Sequence, residues 1–486
     1  MNYSSFFQFW FITLLLLTAL LLFSFVVQTS LYQADSQKDK PNILFIAVDD
    51  LRPELGCYGK PTIISPNIDR LASQGTLFNR AYCQIPVCGA SRASLLTGLR
   101  PTRSRFLGYD TWADKDVPDA TTLPQHFKNN GYHTVSNGKI FHHQDDKLES
   151  WSELPWRPRN PNSNWRDYVT EAAQQIATNH DNGRGPAFER ADVPDTAYFD
   201  GKIAAKTIAD LKRLKQQDQP FFLAVGFLKP HLPFNAPAKY WDMYNPAELP
   251  EASNPFPPKN APDAALHDFG ELRNYAGIPP KGTALSENMA KLMVHGYYAC
   301  TSYTDAQIGK LLDTLDELDL ADNTIVVLWG DHGWNLEEHG LWCKHCNFET
   351  SLRAPLIIAA PGLPQGQKTE ALTEFIDIYP TLCDLAGLPE PGYLDGRSLV
   401  PILSQPATLG KEYIFSKYFD GFTVKNDRYR YTEWSKDDGE VYARMLYDHQ
   451  QDSLENINIV DQPQNEAVAK ELQQQLYLAY PNDFAN

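Results

Sequence analysis

"PNILFIAVDD", Pro41 to Asp50, is a continuous apolar run from Ile43 to Val48 closed by two acids, Asp49 and Asp50. A run this short, apolar at every position, predicts a parallel strand buried on both faces. The acids then fall at its carboxyl end, the edge at which open α/β sheets build their sites. Working outward, "NIDRLASQGTLFNRAYC" reads as an amphipathic helix leading into a second strand. Further strands are expected at "YHTVSNGK", "FFLAVGFL", "NTIVVLWGDHG" and "PLIIAAPG". Helical patterns lie between them, as in "TLPQHFKNNG", "YFDGKIAAKTIADLKRLKQ" and "YACTSYTDAQIGKLLDTLDELDL". Strands alternating with helices predict an α/β fold, a mostly parallel sheet flanked by helices.

Two stretches break the pattern. Trp151 to Pro194 is rich in Trp, Asn, Pro and Arg, and Leu232 to Gly282 is dense in proline. Loops of this length serve as walls or lids of a site, or are disordered. From about Lys411, "EYIFSKYF", "FTVKNDRYRYTEW" and "ARMLYDH" read as short antiparallel strands, followed by a helix at "NEAVAKELQQQLYLAY". The expected division is a catalytic α/β domain over residues 41–405 and a smaller C-terminal α+β subdomain over 406–486. Residues 1–40 are set apart. "FFQFWFITLLLLTALLLFSFVVQ" is an uncharged apolar run of bilayer-spanning length, followed by a polar linker. It reads as a cleaved signal peptide or an uncleaved membrane anchor, and either implies export to a periplasmic, secreted or lysosome-like compartment.

The chain of 486 residues carries a formal net charge of −17. That argues against a nucleic-acid partner. It also means that an anionic substrate must be held by a local cluster of Arg and Lys against the overall field. The seven cysteines are an odd number, so export permits disulfides but leaves at least one thiol over. Cys343 and Cys346 form a C-x-x-C without a second pair at zinc-finger spacing. Cys88 is the candidate for the odd thiol.

Asp331-His332 end "VVLWGDHG" as Asp49-Asp50 end the first strand. In a parallel sheet both pairs reach the same edge, and several carboxylates there suit a hard cation such as Ca²⁺ or Mg²⁺. Cys88 stands one helical turn before Arg92, at the start of the helical run "SRASLLTG". It could be a nucleophile, a redox centre, a metal ligand or plain core. Lys139, His142 and His143 lie in "NGKIFHH", Lys229 and His231 in "FLKPHLPF", and His339, Lys344 and His345 in "EEHGLWCKHCNFE". With Arg92, these groups could hold a tetrahedral oxyanion and supply a general acid and base.

Cys88-Gly89-Ala90-Ser91-Arg92, with Leu95-Leu96-Thr97-Gly98 downstream, resembles the type I sulfatase signature, with Ala90 in place of the usual proline. "NILFIAVDDLRPELGCYG", "SPNIDRLASQGTLFNRAYCQ", "NGYHTVSNGKIFH", "FFLAVGFLKPHLPF", "DHGWNLEEHGLWCKHCNFE" and "LYDHQQDSLENINI" extend the likeness, over roughly Pro41 to Val460, to its iduronate-2-sulfatase-like branch. The resemblance implies an alkaline-phosphatase-like fold. It implies that Cys88 is oxidised to formylglycine by a formylglycine-generating or anaerobic maturation enzyme. It implies one Ca²⁺, with Mg²⁺ the lesser candidate, on Asp49, Asp50, Asp331, His332 and the modified Cys88. Arg92, Lys139 and Lys344 would bind sulfate, and His142 and His231 would be the catalytic imidazoles. Lys229 and Trp334, in "KPHLPF" and "DHGW", are expected to contact substrate.

The chemistry gives a reason for the modification. A thiolate attacking sulfur would leave an adduct with no easy exit, whereas one hydroxyl of an aldehyde hydrate can attack and the second can expel sulfate. Two other readings compete. A phosphatase or phosphonate monoester hydrolase of the same superfold would share the metal edge, but a two-zinc enzyme needs additional Asp and His ligands. A non-catalytic binder of sulfated glycans would have lost the cysteine, arginine or acids, and all are present. The expected substrate is a sulfated polysaccharide or its oligosaccharides, including 2-O-sulfated uronic acid. Trp156, Trp165 and Trp241 are candidates to stack on its sugars.

Overall fold

The computed structural model describes residues 40–159, 166–268 and 270–484. The expected leader or anchor and Trp165 lie outside these residues. The main sheet contains β1 (Asn42–Val48), β2 (Thr76–Phe78), β3 (His133–Gly138), β4 (Phe221–Phe227), β5 (Thr324–Gly330), β6 (Leu356–Ala359) and β7 (Gln367–Thr369). Their order is β7-β2-β6-β5-β1-β4-β3. The strand that opens the fold thus lies inside the sheet, parallel to both its neighbours, β4 and β5. β6 is antiparallel to β5 and β2, and the sheet's other pairings are parallel.

The apolar run of β1 serves two cores at once. Ile43, Phe45 and Ala47 point into one cluster, and Leu44, Ile46 and Val48 into another. This is the period of two of a strand covered on both faces. The first cluster is closed by the helices Cys88–Thr97, Leu123–Asn129 and Ile378–Leu385. The second is closed by Pro66–Gln74, Phe199–Leu214 and Glu287–Glu317. Each fully buried Ile, Leu, Phe or Val of β1 contributes about 1.5–3 kcal/mol relative to exposure.

The C-terminal segment builds a separate four-stranded antiparallel sheet from β8 (Ile414–Tyr418), β9 (Gly421–Lys425), β10 (Tyr429–Ser435) and β11 (Val441–Asp448), in sequence order. The helix Glu466–Ala479 covers it, with Leu472 and Leu476 packed on Phe422, Val424, Tyr431 and Leu446. Asn42–Asn486 cluster as one compact unit. Among the described residues no helix is long and apolar enough to cross a membrane.

Candidate active site

β1 and β5 run in register, Val48 beside Gly330, so the acid pairs that follow them emerge side by side. The Asp49 N–H donates to Phe227 O at 3.2 Å, and the Asp331 N–H to Val48 O at 3.2 Å. Asp50 then leaves the sheet with φ of 61°. Aspartate is among the few non-glycine residues that tolerate this left-handed conformation. The Asp50 N–H donates to Asp331 Oδ1 at 2.9 Å, and its carbonyl accepts from the Tyr297 hydroxyl at 2.8 Å.

The helix Cys88–Thr97 begins at Cys88 itself and ends at Gly98, whose φ of 71° closes it. Cys88 Sγ lies 3.3 Å from His332 Nε2 and 3.8 Å from Asp50 Oδ1. Proximity to Arg92 does not activate this thiol. Burial, and then the Asp49 carboxylate, push Cys88 well above the ordinary thiol range, so it stands as a neutral S–H. Arg92 instead turns Nε to Asp331 Oδ2 at 2.9 Å and a second nitrogen to Asp49 Oδ1 at 3.2 Å. Its third nitrogen donates to the carbonyls of Lys139 and Ile140. Fully buried, Arg92 braces the two acids from behind the cavity, where a sulfate contact was expected.

Two lysines occupy the acids from the cavity side. Lys139 Nζ meets Asp49 Oδ2 at 2.5 Å. It gets there because Gly138, at φ of 77°, and Gly226 let β3 and β4 close tightly; a Cβ on Gly226 would stand 1.9 Å from Lys139 O. Burial would raise the Asp49 carboxyl, but Lys139 and Arg92 outweigh it and hold the group well below its usual range. Lys344 Nζ lies 3.0 Å from Asp50 Oδ1 and 2.9 Å from Glu271 Oε2. Its neighbours Cys343 and His345 both adopt positive φ, 70° and 74°, in the loop that delivers it.

The imidazoles divide. His231 Nε2 is 3.0 Å from Glu271 Oε1 and 3.8 Å from Asp50 Oδ2, and its Nδ1 is 2.6 Å from Leu232 O. His142 lines the same cavity. Burial, and then Lys139, push His142 down to about 2, so it stands as a neutral imidazole.

Two expected substrate contacts are placed elsewhere. Lys229 Nζ donates to His231 O at 3.0 Å and Pro233 O at 2.6 Å, tying the turn that carries His231. Trp334 is buried beneath Lys344, whose ammonium sits 5.0 Å over its ring. Trp241 is core, edge-on to His295, and Trp156 bridges to Asn137 against the second core cluster. All seven cysteines, Cys343 and Cys346 included, are free thiols.

Cys88, Asp49, Lys139, Lys344, His142 and His231 all face one cavity of about 660 Å³. Sequence reasoning missed Tyr109, Arg157, Arg166, Arg184, Glu271 and Asn274, which also line it. All but Tyr109 come from the two aperiodic stretches expected as walls, which offer no periodicity to single out a residue. The donor set fits a hard divalent cation. Asp49, Asp50 and Asp331 present carboxylate oxygens within 4.8 Å of one another, and Asp50, Cys88 and His332 form a second such group.

A buried sulfur ringed by acids, lysines and two imidazoles at the carboxyl edge of a parallel sheet defines a class: hydrolases of tetrahedral oxyanion esters. The comparisons make the class specific. The sulfatase family model matches residues 41–388, and that of the N-sulphoglucosamine sulphohydrolase C-terminal region matches 337–480. Mouse (Mus musculus) iduronate 2-sulfatase is 37% identical over 411 residues, 77% of this chain and 74% of that protein. A solved structure of an enzyme with its substrate D-glucosamine-2-N,6-O-disulfate superposes with a TM-score of 0.73 at 22% identity, covering 92% of this chain and all of the other. The phosphonate monoester hydrolase of Silicibacter pomeroyi also superposes at 0.73, with 23% identity and coverage of 91% and 96%, so the fold alone does not choose between esters. The chain belongs to the sulfatase family, in its iduronate-2-sulfatase-like branch, and is a sulfuric ester hydrolase. Membership implies a metal ion and a formylglycine in general terms.

Proposed function

We propose that this is an exported sulfatase that removes sulfate from a sulfated glycan, with Cys88 matured to formylglycine and one Ca²⁺ held by Asp49, Asp50, Asp331 and His332. The observation that carries the reading is Cys88 at the first turn of a buried helix, 3.3 Å from His332 and open to the cavity. The oxidised residue would supply the attacking and expelling hydroxyls, and the bound cation would polarise the sulfate. Lys139 and Lys344 orient the sulfate oxygens and offset the charge that gathers on them. His231 holds the proton for the departing sugar oxygen, while neutral His142 accepts the proton released when sulfate is expelled. The apolar leader supports export, and a maturation enzyme is the partner the reading requires.

His231→Ala is expected to cost about 100-fold or more in kcat on an unactivated sugar sulfate. It should cost far less on an aryl sulfate, whose leaving group needs little protonation. Equal losses on the two substrates would reassign His231 from acid to binding group.

The cavity, with walls supplied by both long loops, suits a chain end better than the interior of a polymer. The net charge of −17 adds a repulsion against long polyanions that salt screens. Exo-type desulfation is expected, with faster turnover of short oligosaccharides than of intact polymer at moderate salt. Released sulfate and product size, recorded together over a panel of sulfated glycans, check it. Internal desulfation of intact polymer at oligosaccharide rates would overturn the chain-end reading, and activity confined to phosphate esters would overturn the sulfatase function itself.

A further inference from the structure

Among the described residues that line the catalytic cavity, nearly all are charged or polar, and Tyr109 carries the one benzene ring. Val87, also apolar, is 3% exposed and belongs to the core, whereas Tyr109 is 67% exposed. No hydrogen bond to another described residue occupies the Tyr109 hydroxyl. The ring meets His142 at 6.3 Å between centroids and 61° between planes. The fold therefore makes little use of this side chain for its own packing, yet sets it at the mouth of the site.

The backbone that carries the ring is held from both sides. Tyr109 and Asp110 are the central residues of a turn in which the Thr111 N–H donates to Gly108 O at 3.4 Å and the Gly108 N–H to Thr111 Oγ1 at 3.3 Å. One side of the turn presses on the start of the helix that bears Cys88. A Cβ on Gly89 would stand 2.1 Å from Tyr109 O, so the close approach requires glycine there. The other side is anchored by Trp112, stacked on His143 at 4.0 Å and 9°, and His143 in turn lies 5.0 Å from His142. An exposed ring thus stands on a backbone fixed to the nucleophile helix and to the imidazole pair. A sugar ring is amphipathic in a complementary way. Its oxygens project from the rim, and its C–H groups form apolar faces. The lysines, arginines and imidazoles of the cavity can answer the rim, but a C–H face needs an apolar partner.

We propose that Tyr109 is a specificity-determining residue, a platform on which the apolar face of the sulfate-bearing sugar ring stacks. It recognises the ring and leaves the ester to the residues around Cys88. Its contribution is to binding, and it favours cyclic sulfate esters over acyclic ones. The assignment rests on the sulfated-glycan reading above and names the surface that meets the glycan's ring.

The test uses the full-length matured enzyme, a panel of sulfated monosaccharides that includes a 2-O-sulfated uronic acid, and inorganic sulfate as a competitive inhibitor. On the sugar the wild type turns over best, Tyr109→Ala is expected to raise KM about 10-fold, the range of a lost stacking contact and its buried apolar area, while kcat moves far less. Tyr109→Phe and Tyr109→Trp should restore the wild-type KM, since the ring face and not the hydroxyl is used. The inhibition constant of inorganic sulfate, which has no ring, should stay within about twofold in all three variants, and it reports within each preparation that the folded site is intact. An unchanged KM in Tyr109→Ala, a loss that neither Phe nor Trp restores, or a sulfate inhibition constant that rises in step with KM would overturn the platform while leaving the glycan reading standing. Failure to release sulfate from any sugar of the panel would instead overturn the glycan reading, and the platform with it.

Discussion

Cys88→Ala is expected to reduce sulfate-ester hydrolysis by at least about ten thousandfold, to the level at which the remaining residues only bind. The structure keeps this loss separate from unfolding. Cys88 is the first residue of its helix, where alanine is well tolerated, and the change removes a neutral thiol whose near polar neighbours are His332 and Asp50. Thermal unfolding should therefore move by only a few degrees while turnover disappears. Cys88→Ser should be nearly as inactive wherever the maturation enzyme acts on cysteine alone. Mass spectrometry of the Ala81–Arg92 region in protein from the native host should find an aldehyde at position 88. A fully active preparation carrying only intact thiol there would defeat the mechanism.

Asp50→Asn should be the next most damaging change, with activity falling about a thousandfold and circular dichroism unchanged. The substitution is nearly isosteric, and asparagine accepts the left-handed φ of 61° at least as well as aspartate. The N–H bond to Asp331 and the carbonyl bond from Tyr297 are both kept. What is lost is one of three carboxylates and one of the two carboxylate partners of Lys344. Exhaustive chelation of the wild type should reproduce the defect, with Ca²⁺ restoring activity better than Mg²⁺. Indifference to chelation, or a normally active Asp50→Asn enzyme, would rule this metal site out.

Much of this was legible because it was periodic or sat next to something periodic. Asp49, Asp50, Asp331 and His332 directly follow apolar strands, and Lys139 follows the more polar strand His133–Gly138, so a parallel sheet had to bring them to one edge. The reversed direction of Leu356–Ala359 was not legible, since an apolar run carries no mark of which way its neighbour points. Lys229 turns its ammonium to the carbonyls of His231 and Pro233, and Trp334 lies under the Lys344 ammonium, and neither placement could be read from the motif. A motif gives a residue's place along the chain, but whether its side chain faces the cavity or the turn behind it depends on packing. Arg92 was found by spacing, yet its donors went to the acids. Glu271, Arg157 and Arg184 belong to stretches whose order comes from contacts distant in sequence, such as Arg184 with Glu271, and no local pattern announces those.

The separation of sheet edge from wall loops has a consequence for how such an enzyme can diversify. The groups aimed at sulfur are carried by strand ends and one helix start, while Arg166, Arg184, Glu271 and Asn274 belong to the two insertions. Exchanging an insertion could thus retarget the enzyme to a new sugar while inheriting an intact reaction centre, in the way a tool keeps its handle and changes its head. Arg157 is where that modularity breaks down. It belongs to the first insertion yet holds the carbonyls of Gly138, Phe141 and His142. A graft that removed it would disturb the proton acceptor along with the specificity, so the natural cut lies after Arg157.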